Sequence, residues 1–402
     1  MTQVKHLLWL KCHYVFVYSI MGVIQPYLSV FLEQELNFTD AQVGWIQSEM
    51  TIGILITPVL MTYLADRWLS NRALLAVLYA MTGTGLFLIT TVSGFLATGA
   101  AFFLFALGFM AMIPVLNGLC MGFLEDYTQP RQPRYHTVRI WGTFGFMIPA
   151  VVLFFVLSDP DVSTEWGLFL GAGLAFLGMV AAWGLPSHGG EAAGCQAMPT
   201  KQALRVFLNP SVRGFMVAAF LLALALGAYF AFYPLYLGRL GVPSRWIGLI
   251  VNVGVVVEVG FMFAAGWLQR RLGFRGIMLM ALAAGIIRIS LVAAIPTVFV
   301  AVVVQVLHGP MILAVILVPV VYLNEQAGPY ERNSVQGLYT MLCKGTSRLI
   351  GPPLAGYISV LVAGVGGYGS VEGLQAAFFF SALILVFAFV TILFSYRPEG
   401  TS

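Results

Sequence analysis

The segment VGVVVEVGFMF, residues 253–263, is apolar apart from one carboxylate, Glu258. Two further segments have the same character: LAAGIIRISLVAA (282–294) surrounds Arg288, and VVVQVLHGPMILAV (302–315) surrounds His308. An unpaired charge at the centre of a bilayer costs about 2.5 to 3.5 kcal/mol on insertion scales, so such residues face a bundle interior or a water-filled cavity and pair with one another. The three segments therefore predict membrane-spanning helices with a buried polar site.

The composition agrees with a membrane protein. The chain has 402 residues, of which 60% are hydrophobic and 9% charged, whereas soluble domains are about 25% charged. The net charge of +4 comes from Lys and Arg in short loops, where they set topology, so we expect no nucleic-acid partner. The sequence shows no CxxC spacing, Cys/His cluster, nucleophile motif or phosphate loop, so we expect no metal, no cofactor and no enzymatic activity.

Apolar runs long enough to span the bilayer occur twelve times, since a hydrocarbon core of about 30 Å needs about 20 apolar residues per helix. We predict an all-α membrane protein with spans at 8–33, 42–65, 72–93, 95–123, 135–158, 166–185, 210–238, 245–269, 275–294, 297–323, 334–363 and 372–396. One long polar connection, 186–209, separates six spans in 1–185 from six in 210–402. These ranges predict two six-helix domains joined by a cytoplasmic loop.

The distribution of Lys and Arg predicts that both termini are cytoplasmic. With that orientation the outer loops contain only two basic residues, Arg239 and Arg245, and the other loop cations lie inside. Positive charge is retained on the cytoplasmic side of membrane proteins. Acidic outer loops do not oppose this assignment.

An internal repeat relates the two halves. Residues 43–75 align without a gap with residues 247–279, a shift of 204. The charged turn at Asp66 and Arg67 falls on Arg270 and Arg271. Many transporters are built from such duplicated halves, with the solute site where the halves meet. We therefore expect these two turns to act as equivalent gating turns.

The chain resembles the major facilitator superfamily, and within it the bacterial nucleoside:proton symporters, with lactose permease and phenylpropionate permease as more distant relatives. The resemblance rests on these motifs: ADRWLSNR (65–72), MIPVLNG (112–118), VRIWGTFGF (138–146), Glu258, Arg288 and ERNSVQGL (331–338). The turn after helix two departs from the superfamily signature, because Met61 replaces its leading Gly. The resemblance implies the major facilitator fold and transport by alternating access.

Arg139 and Thr143 are four residues apart and share a helical face, and Phe146 continues that stripe. The resemblance implies that the Arg and Thr donate hydrogen bonds to substrate and that the Phe stacks on a base. Alternatively, Arg139 anchors the cytoplasmic end of its helix.

Glu258 lies about 20 Å into its helix, and the resemblance implies that it handles substrate and protons. Arg288 is a fixed charge, which the resemblance places in the proton-coupling network. His308 titrates near neutrality, at a place where the symporters have a different ring residue that contacts substrate. The alternatives are a permanent Glu258–Arg288 ion pair and a merely packed His308. Glu49, nearer the outer surface, is a further proton-coupling candidate.

Helix seven contains Tyr229, Tyr233 and Tyr236, where the resembling symporters have Gln and Asn for base recognition. An aromatic wall of this kind suits a sugar ring, an aromatic acid or a glycoside equally well. We include Tyr229 and Tyr233 among the expected substrate contacts.

Lys344 and Arg348 are like charges on one face of helix eleven, and no counterpart belongs to the family pattern. They repel each other unless an acid or an anion lies between them. Either the substrate is anionic or both side chains extend towards the cytoplasm.

The sequence thus predicts a monomeric secondary transporter of the bacterial inner membrane, in which a proton drives uptake of a small nucleoside or sugar-like solute. An aromatic or other organic acid is the alternative substrate, and an uncoupled facilitator is the alternative mechanism.

Overall fold

The computed structural model describes residues 2–54, 70–127, 133, 135–159, 161–185, 201–328, 331–364 and 369–395. Every regular element in these ranges is helical, which confirms the all-α class. The predicted gating residues Asp66 and Arg67 lie outside the described residues.

Six helices described before the polar connection belong to the first half of the sequence. They are α1 (Thr2–Gln34), α3 (Asn71–Thr91), α4 (Phe95–Glu125), α5 (Tyr135–Val156) and α6 (Glu165–Ala181), and α2 (Asp40–Ser48) lies between α1 and α3 in the sequence.

The later helices begin with a short amphipathic one after the polar connection. They are α7 (Lys201–Leu208), α8 (Pro210–Arg239), α9 (Ser244–Ala294), α10 (Val298–Val303), α11 (His308–Ile312), α12 (Val318–Gln326), α13 (Arg332–Tyr339), α14 (Thr346–Ala363) and α15 (Val371–Ser395). Three irregular turns interrupt the tenth and eleventh predicted spans, 297–323 and 334–363: a 3₁₀ turn at Val304–Leu307 and π-helical turns at Leu313–Leu317 and Thr340–Gly345.

Nine helices within the described ranges are long and apolar enough to cross a membrane. One of them, α9, has 51 residues and would be about 76 Å long if continuous, far more than the bilayer needs. It contains a non-helical glycine, Gly273, at φ 62°, so α9 corresponds to two predicted spans. The second predicted span is described only in part, and the eleventh is divided by a π-helical turn. The observed helices are therefore consistent with twelve spans.

The chain forms two compact units. One comprises Met1–Phe38, Glu49–Cys195 and Pro243–Leu249, and the other comprises Thr39–Ser48, Gln196–Val242 and Ile250–Ser402. Two short segments, Thr39–Ser48 and Pro243–Leu249, thus belong to one unit although the residues on both sides of them in the sequence belong to the other. The boundaries of the two predicted six-helix domains stay a prediction.

Glycines allow the closest helix approach in the first unit. A Cβ at Gly22 of α1 would lie 2.2 Å from the carbonyl oxygen of Phe146, and a Cβ at Gly145 of α5 would lie 2.5 Å from that of Val15. Small residues at such contacts let backbones meet and gain dispersion energy where no hydrophobic effect operates. The hydroxyl of Ser19 donates to the carbonyl of Gly145 at 2.8 Å. This contact fixes the rotation of α5.

Candidate functional site

Arg288 is the centre of a buried polar network in the second unit. Its side chain is 1% exposed. One terminal nitrogen of the guanidinium lies 2.9 Å from Nδ1 of His308, and the other donates to Oε1 of Gln305 at 2.6 Å. Its Cζ lies 4.8 Å from the centre of the Tyr229 ring. Among the described residues no carboxylate touches the guanidinium, and these contacts compensate its charge instead, since an aromatic face attracts a cation.

The tautomer of His308 follows from this geometry. A guanidinium has only donors, so Nδ1 accepts and the ring proton is on Nε2. Nε2 lies 3.4 Å from Oε2 of Glu258, towards which it directs its proton. The alternative of a direct ion pair between Glu258 and Arg288 is not formed between these described residues, because the imidazole lies between them.

Local backbone structure brings the network together. Gln305 lies in the 3₁₀ turn immediately before α11, and a 3₁₀ turn places residues three apart on the same side. Gln305 and His308 therefore both point to Arg288. On α9, Gly254 leaves room for them, because a Cβ there would lie 3.0 Å from Oε1 of Gln305 and 3.1 Å from Cγ of His308.

Sequence reasoning missed Gln305. The available signal was an amide within the apolar run VVVQVLHG, three residues before a histidine. Only the tertiary structure shows that this amide holds Arg288.

Aromatic residues of α8 line the network. The rings of Tyr229 and Tyr233 are stacked at 5.0 Å, and Phe230 meets His308 edge-on at 5.5 Å. The hydroxyl of Tyr233 donates to the carbonyl of Ala301 at 2.8 Å. Tyr233 is 3% exposed and Tyr229 fully buried. These rings thus pack at the buried end of the network, next to Arg288. Glu258, with 26% of its side chain exposed, is the accessible end.

The predicted residues of α5 lie in the first unit. The guanidinium carbon of Arg139 lies 4.0 Å from the centre of the Tyr18 ring. Thr143 is half-buried, and Phe146 is buried against α1. The arrangement leaves Arg139 and Thr143 partly accessible on one face, as the spacing predicts.

Asn117 of α4 is a second polar residue that sequence reasoning missed, although its motif MIPVLNG was noted. Its Oδ1 accepts hydrogen bonds from the hydroxyls of Tyr14 at 2.8 Å and Tyr135 at 3.0 Å. The Tyr14 ring also lies 5.9 Å from the Arg139 guanidinium. These tyrosines therefore connect Asn117 to the predicted contact residues.

The remaining predicted residues are dispersed. Glu49 follows the end of α2 at a turn, and its Oε2 is buried with no hydrogen-bond partner among the described residues. Arg270 and Arg271 are exposed shortly before Gly273. Lys344 belongs to a π-helical turn and Arg348 to α14. None of these five side chains contacts the Arg288 network in the part of the chain that is described.

Comparisons with known proteins agree with this architecture. The model of the MFS_1 like family matches residues 7–362. A putative nucleoside transporter, YegT, of Escherichia coli (strain K12) is 25% identical over 80% of this chain and 77% of its own length. A maltose permease of Geobacillus stearothermophilus is 27% identical over 86% of each chain.

Among solved structures, the crystal structure of nucleoside transporter NupG matches with a TM-score of 0.83 at 20% identity, over 96% of this chain and 99% of that one. The predicted fold is thereby confirmed. The chain belongs to the MFS_1 like family and is an integral membrane transporter with the major facilitator fold.

Proposed function

We propose that the protein is a proton-coupled symporter that moves a small nucleoside or sugar-like solute by alternating access. The observation that supports coupling most directly is the series Glu258–His308–Arg288, in which an accessible carboxylate ends a chain of buried charged and polar groups. The relatives named as a nucleoside transporter and a maltose permease support the solute class.

In this proposal the transported proton resides on Glu258. Arg288 does not release its proton at physiological pH, and its hydrogen bond occupies Nδ1 of His308. The imidazole therefore accepts a second proton only by breaking that bond. Glu258 has no such constraint, and its ionised form accepts from Nε2 of His308. Protonation weakens this attraction, which frees the carboxyl group to donate to a solute oxygen or nitrogen.

The first unit contains a further set of polar groups that we propose as solute contacts. Arg139 offers donors that are held over the Tyr18 ring, and Thr143 adds a hydroxyl on the same face. Donors of fixed orientation suit the ring carbonyls and hydroxyls of nucleosides and sugars, because an unpaired polar group in a buried site is costly. The proposal further places the protein in the bacterial inner membrane as a monomer with cytoplasmic termini.

The test is transport by the Glu258→Gln variant in proteoliposomes. The amide still accepts from Nε2 of His308 but does not exchange a proton, so we expect no accumulation of uridine or maltose under an inward pH gradient. Counterflow exchange of the same solute should remain. Glu372→Gln, which changes an exposed carboxylate in the first turn of α15, is the matched control and should transport normally.

Two outcomes contradict the proposal. Accumulation by Glu258→Gln under the gradient would move the proton site elsewhere, with Glu49 as the next residue to test. Wild-type uptake that equilibrates but never responds to the gradient would indicate an uncoupled facilitator.

A further inference from the structure

Two cations of the second unit are not used by the proposed proton pathway. Lys344 lies one helical turn before Arg348, and both lie deep in the eleventh predicted span. Lys344 is twelve residues (344 − 332) beyond the start of α13 at Arg332, or roughly 18 Å along the helix axis. A Lys side chain reaches about 6 Å, estimated from its four-carbon stem. Extension towards the near surface therefore does not account for the pair.

The burial pattern of α14 shows that Arg348 is on the face opposite to the exposed apolar residues. Pro352, Ala355 and Ser359 follow Arg348 at i+4, i+7 and i+11, so all four share one face. Those three are buried, whereas Arg348 is exposed. The opposite face contains the exposed apolar residues Ile350, Tyr357 and Leu361. Arg348 is thus accessible on the inner face of the helix, beyond the part that α2 covers.

A π-helical turn, Thr340–Gly345, sets the direction of Lys344. The hydroxyl of Tyr339, just before this turn, donates at 3.3 Å to the carbonyl of Val315, which belongs to the facing π-helical turn. The Lys344 ammonium lies 5.6 Å from the centre of the Tyr339 ring. Single π-helical turns occur frequently at functional sites. This one holds the ammonium over an aromatic face rather than beside an acid.

The charge of the pair is not compensated. Neither Lys344 nor Arg348 has an acidic partner among the residues that the structure describes, and the carboxylates of Asp40 and Glu258 in the same unit contact Arg239 and His308 instead. Like charges one turn apart destabilise a helix, and charges at membrane depth are costly unless paired. An anion beside both side chains would remove both penalties.

We propose that Lys344 and Arg348 bind an anionic group, carboxylate or phosphate, on the transported solute. The stem of Arg348 passes beside Gly227 of α8, where its Cγ lies 3.8 Å from the position of a Cβ. Phe230 lies one turn further along α8 and contacts both His308 and Arg288. A solute with its anionic group at the cations can therefore extend a ring towards Phe230 and Glu258. This inference rests on the proposed transport function and names the charge of its substrate.

The experiment compares binding of matched solutes to the purified full-length protein by isothermal titration calorimetry. The pairs are glucuronate with glucuronamide, phenylacetate with phenylacetamide, and glucose 6-phosphate with glucose. A charge-assisted hydrogen bond is worth about a ten- to hundredfold change in affinity, so we expect the anion of at least one pair to bind at least about tenfold more tightly. Tighter binding of the acid in either of the first two pairs identifies the anionic group of the solute as a carboxylate. Tighter binding of glucose 6-phosphate than of glucose identifies it as a phosphate.

Variants connect the preference to the two side chains. Lys344→Gln and Arg348→Gln should each reduce the preference about tenfold while leaving the affinity for the neutral member unchanged. Lys344→Arg keeps the charge and should retain the preference, which separates loss of charge from loss of folding. Arg275→Gln is the control cation, since Arg275 is a half-buried cation of the same unit and donates to the carbonyl of Leu393 instead.

Equal binding of anions and neutral analogues in all three pairs would overturn the inference. So would a preference that survives in both Gln variants. Failure of the proposed proton coupling gives a different result, in which gradient-driven accumulation is absent although the preference for anions persists.

Discussion

A buried ion pair at Asp40 gives the most quantitative prediction. Both terminal nitrogens of Arg239 donate to the Asp40 carboxylate, one of them at 3.0 Å, and the hydroxyl of Ser359 donates to it as well. Arg239 also donates to the carbonyl of Ser370 at 2.9 Å. Asp40 is 6% exposed. The pair therefore joins the start of α2 to the end of α8 and to α14.

We expect Arg239→Leu to lower the free energy of unfolding by about 3 to 5 kcal/mol, because it leaves a buried carboxylate without its cation. Asp40→Leu should be comparably destabilising, since Arg239 then loses two charge-assisted hydrogen bonds. The double variant buries neither charge. Its loss should be smaller than the sum of the two single losses by at least about 1 kcal/mol, as expected for residues in contact.

The measurement is SDS-induced unfolding in mixed micelles, followed by far-UV circular dichroism. Arg275→Leu is the matched control, because that Arg is only half-buried and donates to a single carbonyl among the described residues, and its effect should stay below about 1 kcal/mol. The reasoning is refuted if Arg239→Leu costs no more than this control, or if the two single effects add.

Two further predictions concern the first unit. Arg139→Ala should weaken solute binding at least about tenfold, which is the value of a lost hydrogen bond to a charged donor. Lys11→Ala removes another cation of this unit and should leave the affinity unchanged. If calorimetry shows unchanged affinity in Arg139→Ala as well, Arg139 is a structural anchor. Gly22→Ala should destabilise the protein by about 1 to 3 kcal/mol, because the new Cβ would lie 2.2 Å from the carbonyl oxygen of Phe146. Gly122→Ala has open space around it and serves as the control in the same SDS titration, where equal effects of the two substitutions would contradict the packing argument.

The sequence by itself determined the class of the molecule and the positions of its helices. Apolar runs of about 20 residues leave helices as the structure that satisfies every backbone group in lipid, so hydropathy alone predicted the spans. The rarity of charge at membrane depth likewise singled out Glu258, Arg288 and His308. These signals are local, since each depends only on a residue and its sequence neighbours.

Local signals do not fix the rotation and depth of one helix relative to another. For this reason the sequence left a direct pair of Glu258 and Arg288 open as an alternative, whereas the fold inserts His308 between them and adds Gln305 through a 3₁₀ turn. Asn117 gained its two tyrosine donors in the same way.

The interruption of the second predicted span also became visible only in the tertiary structure. Hydropathy predicts one continuous span over 42–65, whereas the structure has a turn at Glu49, between α2 and helical residues 50–54, and Asp40 is paired with Arg239, 199 residues away. Gly44 allows α2 to pack on α14, because a Cβ added at this position would lie 2.4 Å from the carbonyl oxygen of Pro352. Hydropathy contains no information on such a contact, because it depends on the shape of a partner that is distant in the sequence. The sequence thus determined which residues enter the membrane, and the packing of the helices decided which polar groups meet there.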